Sequence, residues 1–174
     1  MAKERGQADV EAGKSLRHLG FFARKHTDAM ICPNCHKMIY PSGNPGTFDF
    51  PGVYVPPMRG NPKPRTMDIE VKAGNTSLAF SSLRDDQRAW AACTPENEKY
   101  LWICVGTKIK GKKYPRKTWL MPLDVFYDLE NRIGRKSIPY DCESLNEFEL
   151  EWLGKGLWDI PADHEFWRGR WQHP

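Results

Sequence analysis

Three ionisable side chains alternate with apolar ones in the segment DIEVKA, residues 68–73. Because successive side chains of a β-strand point to opposite faces, Asp68, Glu70 and Lys72 are predicted to share one face of a strand. A carboxylate beside an ammonium group can contribute to a divalent-cation site and assist phosphodiester hydrolysis. Asp68 lies at the start of the strand and is predicted first as a salt-bridge former. A half-exposed strand with its polar face in water gives the same alternation, and is the alternative interpretation.

A further carboxylate, Asp49, lies upstream in residues 47–55 (TFDFPGVYV), which are predicted to form a strand. This strand is expected to pair with residues 66–73 as an antiparallel hairpin across a proline-rich basic loop. The register predicted for the hairpin sets Asp49 beside Lys72, and therefore within reach of Glu70. The Pro-Gly pair inside the first strand predicts either a bulge or an edge position.

A glutamine on the next predicted helix extends this candidate site. Leu83, Gln87 and Trp90 fall on one stripe of the helix, which should face the sheet. A buried amide needs hydrogen-bond partners, so Gln87 is a candidate member of the site. An edge residue that reaches water is the alternative.

The remaining elements follow from periodicity and breaker residues. Ser81 or Ser82 is the expected cap of the helix that contains Gln87. The order of elements predicts one α/β domain over residues 1–174, with a mixed sheet, a core at about 9–154 and a C-terminal tail at 155–174. The predicted helices cover residues 9–26, 82–92, 123–133 and 144–154, and the predicted strands cover residues 47–55, 66–73 and 99–107.

Two basic loops border the predicted strands and can grip phosphates on either side of a cleft. A solvated surface is the alternative for such loops. The candidate nucleic-acid-binding residues are Arg59, Lys63 and Arg65 in the first loop, and Lys110, Lys112, Lys113, Arg116 and Lys117 in the second.

The segment CPNCH contains half of a zinc-binding pattern. Cys32, Cys35 and His36 supply two or three of the four ligands that a structural zinc ion requires, and the sequence has no second C-x-x-C. The segment is either a Zn²⁺ site completed from elsewhere in the fold or a simple turn. A cysteine nucleophile with His36 as its base would need an orienting acid, for which nothing nearby is a candidate.

Composition places few limits on function. The formal net charge of +4 permits a polyanionic partner without requiring one. The odd total of five cysteines argues against a disulfide framework. The sequence has no apolar run long enough to span a membrane and no apolar core of a secretory signal at its N-terminus. A cytoplasmic location is therefore expected, in the host cytoplasm if the protein is encoded by a phage.

The pattern of an acidic residue in one strand and E-x-K in the next resembles the PD-(D/E)xK nuclease superfamily. Here the pattern consists of Asp49, then Glu70, Val71 and Lys72, with Phe48 in place of the family's leading proline. The resemblance implies a restriction-endonuclease-like fold, a mixed sheet flanked by helices. It also implies a Mg²⁺ or Mn²⁺ ion held by Asp49, Glu70 and the Val71 carbonyl, with Lys72 acting on the attacking water.

The segment IEVKAG and the helix after it are similar to the Holliday-junction resolvases of archaea and phages, and to virus-type replication-repair (VRR-NUC) nuclease domains. The similarity covers residues 47–107. It implies that Gln87 orients Lys72 or a phosphate, and that Glu11 corresponds to a glutamate on the first helix of such resolvases. It further implies a homodimeric endonuclease that cuts branched or otherwise structured DNA.

Two other functions remain open from the sequence. One is a non-catalytic nucleic-acid-binding protein in which zinc stabilises the CPNC segment. The other is a nuclease of the same fold that acts on flaps, nicks or RNA-containing duplexes, because loops and dimer geometry, rather than the fold, select the substrate.

Overall fold

The computed structural model describes residues 2–23, 30–31, 38–39, 48–54, 64–74, 77–94, 97–105, 108–109, 112–113, 117–139 and 142–168. The α-helices are α1 (Ala2–His18), α2 (Asp85–Cys93), α3 (Leu123–Arg132) and α4 (Glu165–Arg168), and 3₁₀ helices cover Phe80–Ser82 and Glu143–Phe148. The strands are β1 (Phe21–Ala23), β2 (Met30–Ile31), β3 (Met38–Ile39), β4 (Phe50–Tyr54), β5 (Arg65–Gly74), β6 (Ser77–Ala79), β7 (Glu98–Val105), β8 (Lys108–Ile109), β9 (Lys112–Lys113), β10 (Lys117–Pro122), β11 (Ser137–Pro139), β12 (Glu151–Gly154) and β13 (Leu157–Asp159).

A five-stranded mixed sheet in the order β1-β4-β5-β7-β10 forms the centre of the fold. All its neighbouring strands are antiparallel except β5 and β7, which are parallel. Parallel neighbours require a crossover connection, and α2 lies in that crossover. The predicted α/β domain with a mixed sheet flanked by helices is therefore confirmed.

Two hydrophobic clusters cover the two faces of the sheet. Alternation along β5 sends Ile69 and Val71 into the cluster that contains α1, whereas the neighbouring polar positions point to the opposite face. The second cluster lies on that opposite face and includes residues of β7, β10, α3 and the loop before α2. The first cluster is centred on Ala8, Ala12, Leu16, Phe50, Ile69, Val71 and Trp102, and the second on Phe48, Leu83, Leu101, Ile103, Trp119, Phe126 and Phe148.

The first predicted helix, residues 9–26, is wrong at its C-terminal end. Gly20 has φ +86°, a conformation that glycine adopts readily and that commonly ends a helix. The chain therefore leaves α1 after His18 and enters β1, whose Phe21 packs in the core while Phe22 is exposed. The prediction also missed the start of the helix at Ala2.

The helix predicted for residues 144–154 is also wrong. A 3₁₀ helix ends at Phe148, and the following residues join the edge of the central sheet. Glu149 forms a β-bridge with Trp119, and the Leu150 N–H donates to the Thr118 carbonyl at 2.8 Å. The free edge of β10 therefore captures a segment whose apolar spacing alone suggested a helix.

The C-terminal part of the chain contributes to the core. The hairpin β12–β13 packs on α1, where the Trp158 N–H donates to Ser15 Oγ at 2.9 Å. Ile160 and Phe166 are buried in the same cluster as α1. The core therefore extends past residue 154, where the sequence predicted a tail.

Strand β4 is neither bulged nor at an edge. Its pairing with β5 runs without a break from Phe50 opposite Ile69 to Tyr54 opposite Arg65, and β1 covers its other side from Gly52 onward. Pro51 lies just before the part of β4 that pairs with β1. None of the helices within the described ranges is long and apolar enough to cross a membrane.

Candidate active site

The polar face of β5 turns toward α2 and is buried, so water does not solvate it. Asp68, Glu70 and Lys72 share this face, as the alternation predicted, and all three are buried. The exposed fractions of the candidate site residues are 0% for Glu70, 2% for Gln87, and 6% for both Asp49 and Lys72. The alternative of a half-exposed strand is therefore wrong for this face.

Glu70 is the centre of the cluster because three donors converge on its carboxylate. Oε1 accepts hydrogen bonds from Lys72 Nζ at 2.7 Å and from Gln87 Nε2 at 2.6 Å. Oε2 accepts from the backbone N–H of Asp49 at 3.1 Å. Glu70 thus joins residues from the segment before β4, from β5 and from α2.

Asp49 lies beside Glu70, two residues from the predicted register. Continuing the β4–β5 pairing backward from Phe50 and Ile69 places Asp49 opposite Glu70 rather than opposite Lys72. A shift of two residues keeps the same face, so Asp49 remains on the face that carries Glu70 and Lys72. Asp49 Oδ2 accepts from the Val71 N–H at 2.9 Å, which brings this carboxylate to the residue directly after Glu70.

A bend in the chain at Asp49 makes this contact possible. Phe48 belongs to the cluster on the α2 and α3 side, whereas Phe50 belongs to the cluster on the α1 side. Residues two apart in a regular strand share a face, so the opposite placements of these phenylalanines show that the chain turns at Asp49. Phe48 is 1% exposed and anchors the bend.

Gln87 connects the start of α2 to the two charged residues on β5. Its Oε1 accepts from Lys72 Nζ at 2.9 Å and from the backbone N–H of Arg84, the N-cap of α2, at 3.2 Å. The prediction that Ser81 or Ser82 caps this helix is wrong, because those residues belong to the preceding 3₁₀ helix. Gln87 is therefore buried with partners, as the stripe predicted.

Asp86 fixes the backbone next to Gln87. Its Oδ1 accepts from the Gln87 N–H at 2.9 Å, and its carboxylate pairs with the Arg84 side chain at 3.0 Å. The hydrogen bond from Arg84 is the main cause that lowers the pKa of Asp86 below its usual value. An anion in the first turn also interacts favourably with the helix dipole.

Asp68 belongs to a separate polar group at the other end of α2. Its Oδ2 accepts from Asn97 Nδ2 at 3.1 Å and lies 3.4 Å from Lys99 Nζ. The sequence prediction ranked Asp68 as a salt-bridge former, which agrees with this pair. Asn97 and Lys99 were missed, because only the parallel register of β5 and β7 sets Lys99 beside Asp68.

Glu11 does not join the site in the contacts that the structure describes. It accepts hydrogen bonds from Gln7 Nε2 at 2.9 Å and from Trp158 Nε1 at 3.3 Å. Because α1 packs against the face of β5 formed by Ile69 and Val71, Glu11 lies across the sheet from Glu70. The correspondence with a resolvase glutamate is therefore not supported by its position.

The two basic candidates whose side chains the structure describes are engaged within the protein. Arg65 forms a two-point ion pair with Glu98, and Lys117 pairs with Glu149 at 3.0 Å. Both were candidate phosphate ligands, and both instead join neighbouring elements of the fold. Arg65 is only 13% exposed, and its role as a nucleic-acid contact stays a prediction.

Several predicted residues lie outside the described part of the chain. For Lys112 and Lys113 the backbone pairing of β8 and β9 is described, but not the side chains. The zinc candidates and four of the eight basic candidates lie wholly outside the described ranges, namely Cys32, Cys35, His36, Arg59, Lys63, Lys110 and Arg116.

Comparison with known proteins assigns no family to the chain. No protein-family model matches the sequence, and no curated protein is significantly similar to it. The residues themselves must therefore support any functional assignment.

The donor chemistry of the cluster fits a hard divalent cation. Asp49 and Glu70 provide carboxylate oxygens, the ligands that Mg²⁺ prefers. Within the described residues, no group of three or more His, Cys, Asp or Glu side chains is placed to hold a metal ion. The metal would therefore need oxygen from the backbone, such as the Val71 carbonyl, and from water, which Mg²⁺ usually retains.

Proposed function

We propose that this protein is a divalent-metal-dependent endonuclease that hydrolyses phosphodiester bonds in branched or otherwise structured DNA. The observation that supports this proposal is the buried cluster of Asp49, Glu70, Lys72 and Gln87, in which three donors meet one carboxylate. Such a cluster contains the residue types that phosphodiester hydrolysis requires, namely oxygen ligands for a cation and an ammonium group beside them.

The cost of burying this cluster argues for a role beyond stability. Removing two charged groups from water costs several kcal/mol per ion, and well-packed apolar residues often replace a buried ion pair without loss of stability. Glu70 is fully buried and Lys72 nearly so. Carboxylates and an ammonium group at these positions are therefore more readily explained by chemistry than by packing.

Each side chain of the cluster has a distinct role in the proposed reaction. When bound by Asp49, Glu70 and the Val71 carbonyl, Mg²⁺ or Mn²⁺ supplies a Lewis acid that polarises the phosphate and lowers the pKa of water. Lys72 donates hydrogen bonds to the attacking water or to a phosphate oxygen and offsets negative charge that develops during attack. Glu70 and Gln87 hold the Lys72 ammonium in place, since both accept hydrogen bonds from it.

The deciding experiment incubates the purified protein with a four-way junction, a flap, single-stranded DNA and linear duplex DNA. Each substrate is tested with Mg²⁺, with Mn²⁺ and with a chelator. Metal-dependent cleavage of the junction or the flap supports the proposal. Salt-sensitive binding without cleavage under every metal condition would instead favour a non-catalytic nucleic-acid-binding protein.

Variants that preserve shape test the site itself. Asp49→Asn, Glu70→Gln and Lys72→Met are each expected to lower the cleavage rate at least about 10²-fold, the usual effect of losing one charge-stabilising group. Asp128→Asn removes an exposed carboxylate on α3, so it serves as the matched control and should cleave normally. A Glu70→Gln variant that cleaves at the normal rate would refute the site.

A homodimer is part of the proposal for a junction substrate. Symmetrical cuts in two strands require two active sites, and closed two-fold dimers are the commonest oligomers that provide them. Sedimentation equilibrium with and without four-way junction DNA measures the assembly state. A protein that is monomeric under both conditions has one active site per complex. It would make a single cut each time it binds, and the homodimer would be ruled out.

A further inference from the structure

Strand β5 is linked to both ends of helix α2, directly at the start of the helix and through Lys99 of β7 at its C-terminal end. At the start of the helix, Gln87 contacts Glu70 and Lys72 on β5 at 2.6 and 2.9 Å. At the other end, the chain returns toward Asp68, which lies on the same face of the same strand. The strand is therefore linked to the helix at two separate points, and the second link passes through a neighbouring strand.

The contact at the C-terminal end of α2 passes through Lys99. Lys99 Nζ donates to the carbonyls of Thr94 and Asn97 at 2.5 and 2.6 Å, and Thr94 is the C-cap of α2. Its ammonium group is 3.4 Å from Asp68 Oδ2. A cation at this end satisfies carbonyls that the helix leaves without partners and complements the helix dipole.

The lengths of the two elements match. The four residue steps of β-strand from Asp68 to Lys72 span about 13 Å, and the seven residue steps from Gln87 to Thr94 span about 10 Å. Because a short helix moves as a nearly rigid body, a displacement at Thr94 is transmitted to Gln87. The hydrogen bonds of Gln87 with Glu70 and Lys72 require its placement to within a few tenths of an ångström.

We infer that Asp68 is a positioning residue, which acts through Lys99 and α2 to hold Gln87 against Glu70 and Lys72. Asp68 and Lys99 are only 3% and 8% exposed, so burying this pair has the same high cost as burying the pair at the site. A buried ion pair that adds little net stability but fixes geometry fits this role. The kinetic consequence rests on the proposed nuclease function, whereas the placement of Gln87 does not.

A double-mutant cycle tests the inference. Asp68→Asn is expected to lower kcat for DNA cleavage about 10-fold with little change in KM, the size typical of residues that orient a site from outside it. In a Gln87→Ala background, the same change should lower kcat less than about 2-fold, because the residue through which it acts is gone. Equal effects in both backgrounds would show that Asp68 has a purely structural role.

The matched control is Glu130→Gln. Glu130 pairs with Arg88 at 2.8 Å and ties the same helix to α3 rather than to β5. The effect of Glu130→Gln on kcat should be the same, within error, with and without the Gln87→Ala change. Coupling of the same size at Glu130 would overturn the inference, because any loosening of α2 would then be sufficient.

A second readout requires no cleavage activity. The side-chain NH₂ signals of Gln87 in an NMR spectrum, assigned by their loss in Gln87→Ala, report its hydrogen bond to Glu70. They should shift in folded Asp68→Asn and Lys99→Met but not in Glu130→Gln. Unchanged signals in the first two variants would overturn the inference, and would do so even if the protein proved not to be a nuclease.

Discussion

Glu70 and Lys72 lie two positions apart on β5 and form an ion pair of 2.7 Å inside the protein, where Glu70 has no exposure to solvent. Charged neighbours on the same face of a strand normally extend side by side into water. Here α2 covers them, so each charge depends on the other and on Gln87 for compensation. The stability of the fold and the geometry of the candidate site are therefore linked.

Removing one member of this pair should be more damaging than removing both. Glu70→Leu is expected to lower the free energy of unfolding by about 3–5 kcal/mol, because it leaves the Lys72 ammonium buried without its main partner. Glu70→Leu combined with Lys72→Met should cost clearly less than the sum of the single changes. Urea denaturation of the two single variants and the double variant measures the free energies of unfolding. Strictly additive losses would contradict the mutual dependence of Glu70 and Lys72.

Gln87→Glu separates the two hydrogen-bonding roles of Gln87. The new carboxylate can still accept from Lys72 and from the Arg84 N–H, but it cannot donate to Glu70, 2.6 Å away, and it repels that carboxylate. The rate of DNA cleavage should fall about 10–100-fold in this variant. It should fall by a similar factor in Gln87→Ala. Initial rates at saturating Mg²⁺ measure the effect, and normal cleavage by Gln87→Glu would mean that donation to Glu70 is not needed.

Gly74→Ala should destabilise the protein at the end of the strand that bears the site. A Cβ at this position would lie 2.2 Å from the Ser77 carbonyl oxygen, so backbone must move to admit it. The expected loss is about 2–3 kcal/mol, at the upper end of overpacking effects. Gly134→Ala is the control, because its Cβ meets no atom within 4 Å and only its φ of +62° is strained. That strain costs about 1 kcal/mol. Equal midpoints of thermal unfolding for the two variants would contradict the prediction.

His164 should make the stability of the fold depend on pH. It is 2% exposed, and its Nδ1 accepts from the Phe166 N–H at 2.9 Å at the start of α4. Burial is the main cause that lowers the pKa of His164 below its ordinary value near 6.5, although Phe148 and Asp163 oppose the shift. The unfolded chain therefore binds the proton more readily, and stability should fall as the pH drops below about 6.5.

The matched comparison for this prediction is His164→Asn. Asparagine can accept the same helix-capping hydrogen bond but does not titrate. The difference in free energy of unfolding between pH 7.5 and 5 should be smaller in this variant than in the unchanged protein. An identical pH dependence in the two proteins would show that His164 does not bind the additional proton on unfolding.

Glu70, Lys72 and Gln87 could be found from the sequence because each follows from a local period. Alternation of two places Glu70 and Lys72 on one strand face, and a helical stripe turns Gln87 toward the sheet. The order of the predicted elements also indicated the mixed α/β character of the domain. These inferences needed no knowledge of distant contacts, since the periods are properties of the backbone itself.

The tertiary structure decided what depends on contacts between distant segments. The register of β4 on β5 placed Asp49 opposite Glu70, and the parallel pairing of β5 with β7 brought Lys99 to Asp68. The edge of β10 drew Glu149 and Leu150 into extended pairing where the local pattern favoured a helix. A long loop does not fix strand register, and an open sheet edge can override weak helical spacing. The sequence thus determined which side chains could form a site, and the packing determined which of them meet.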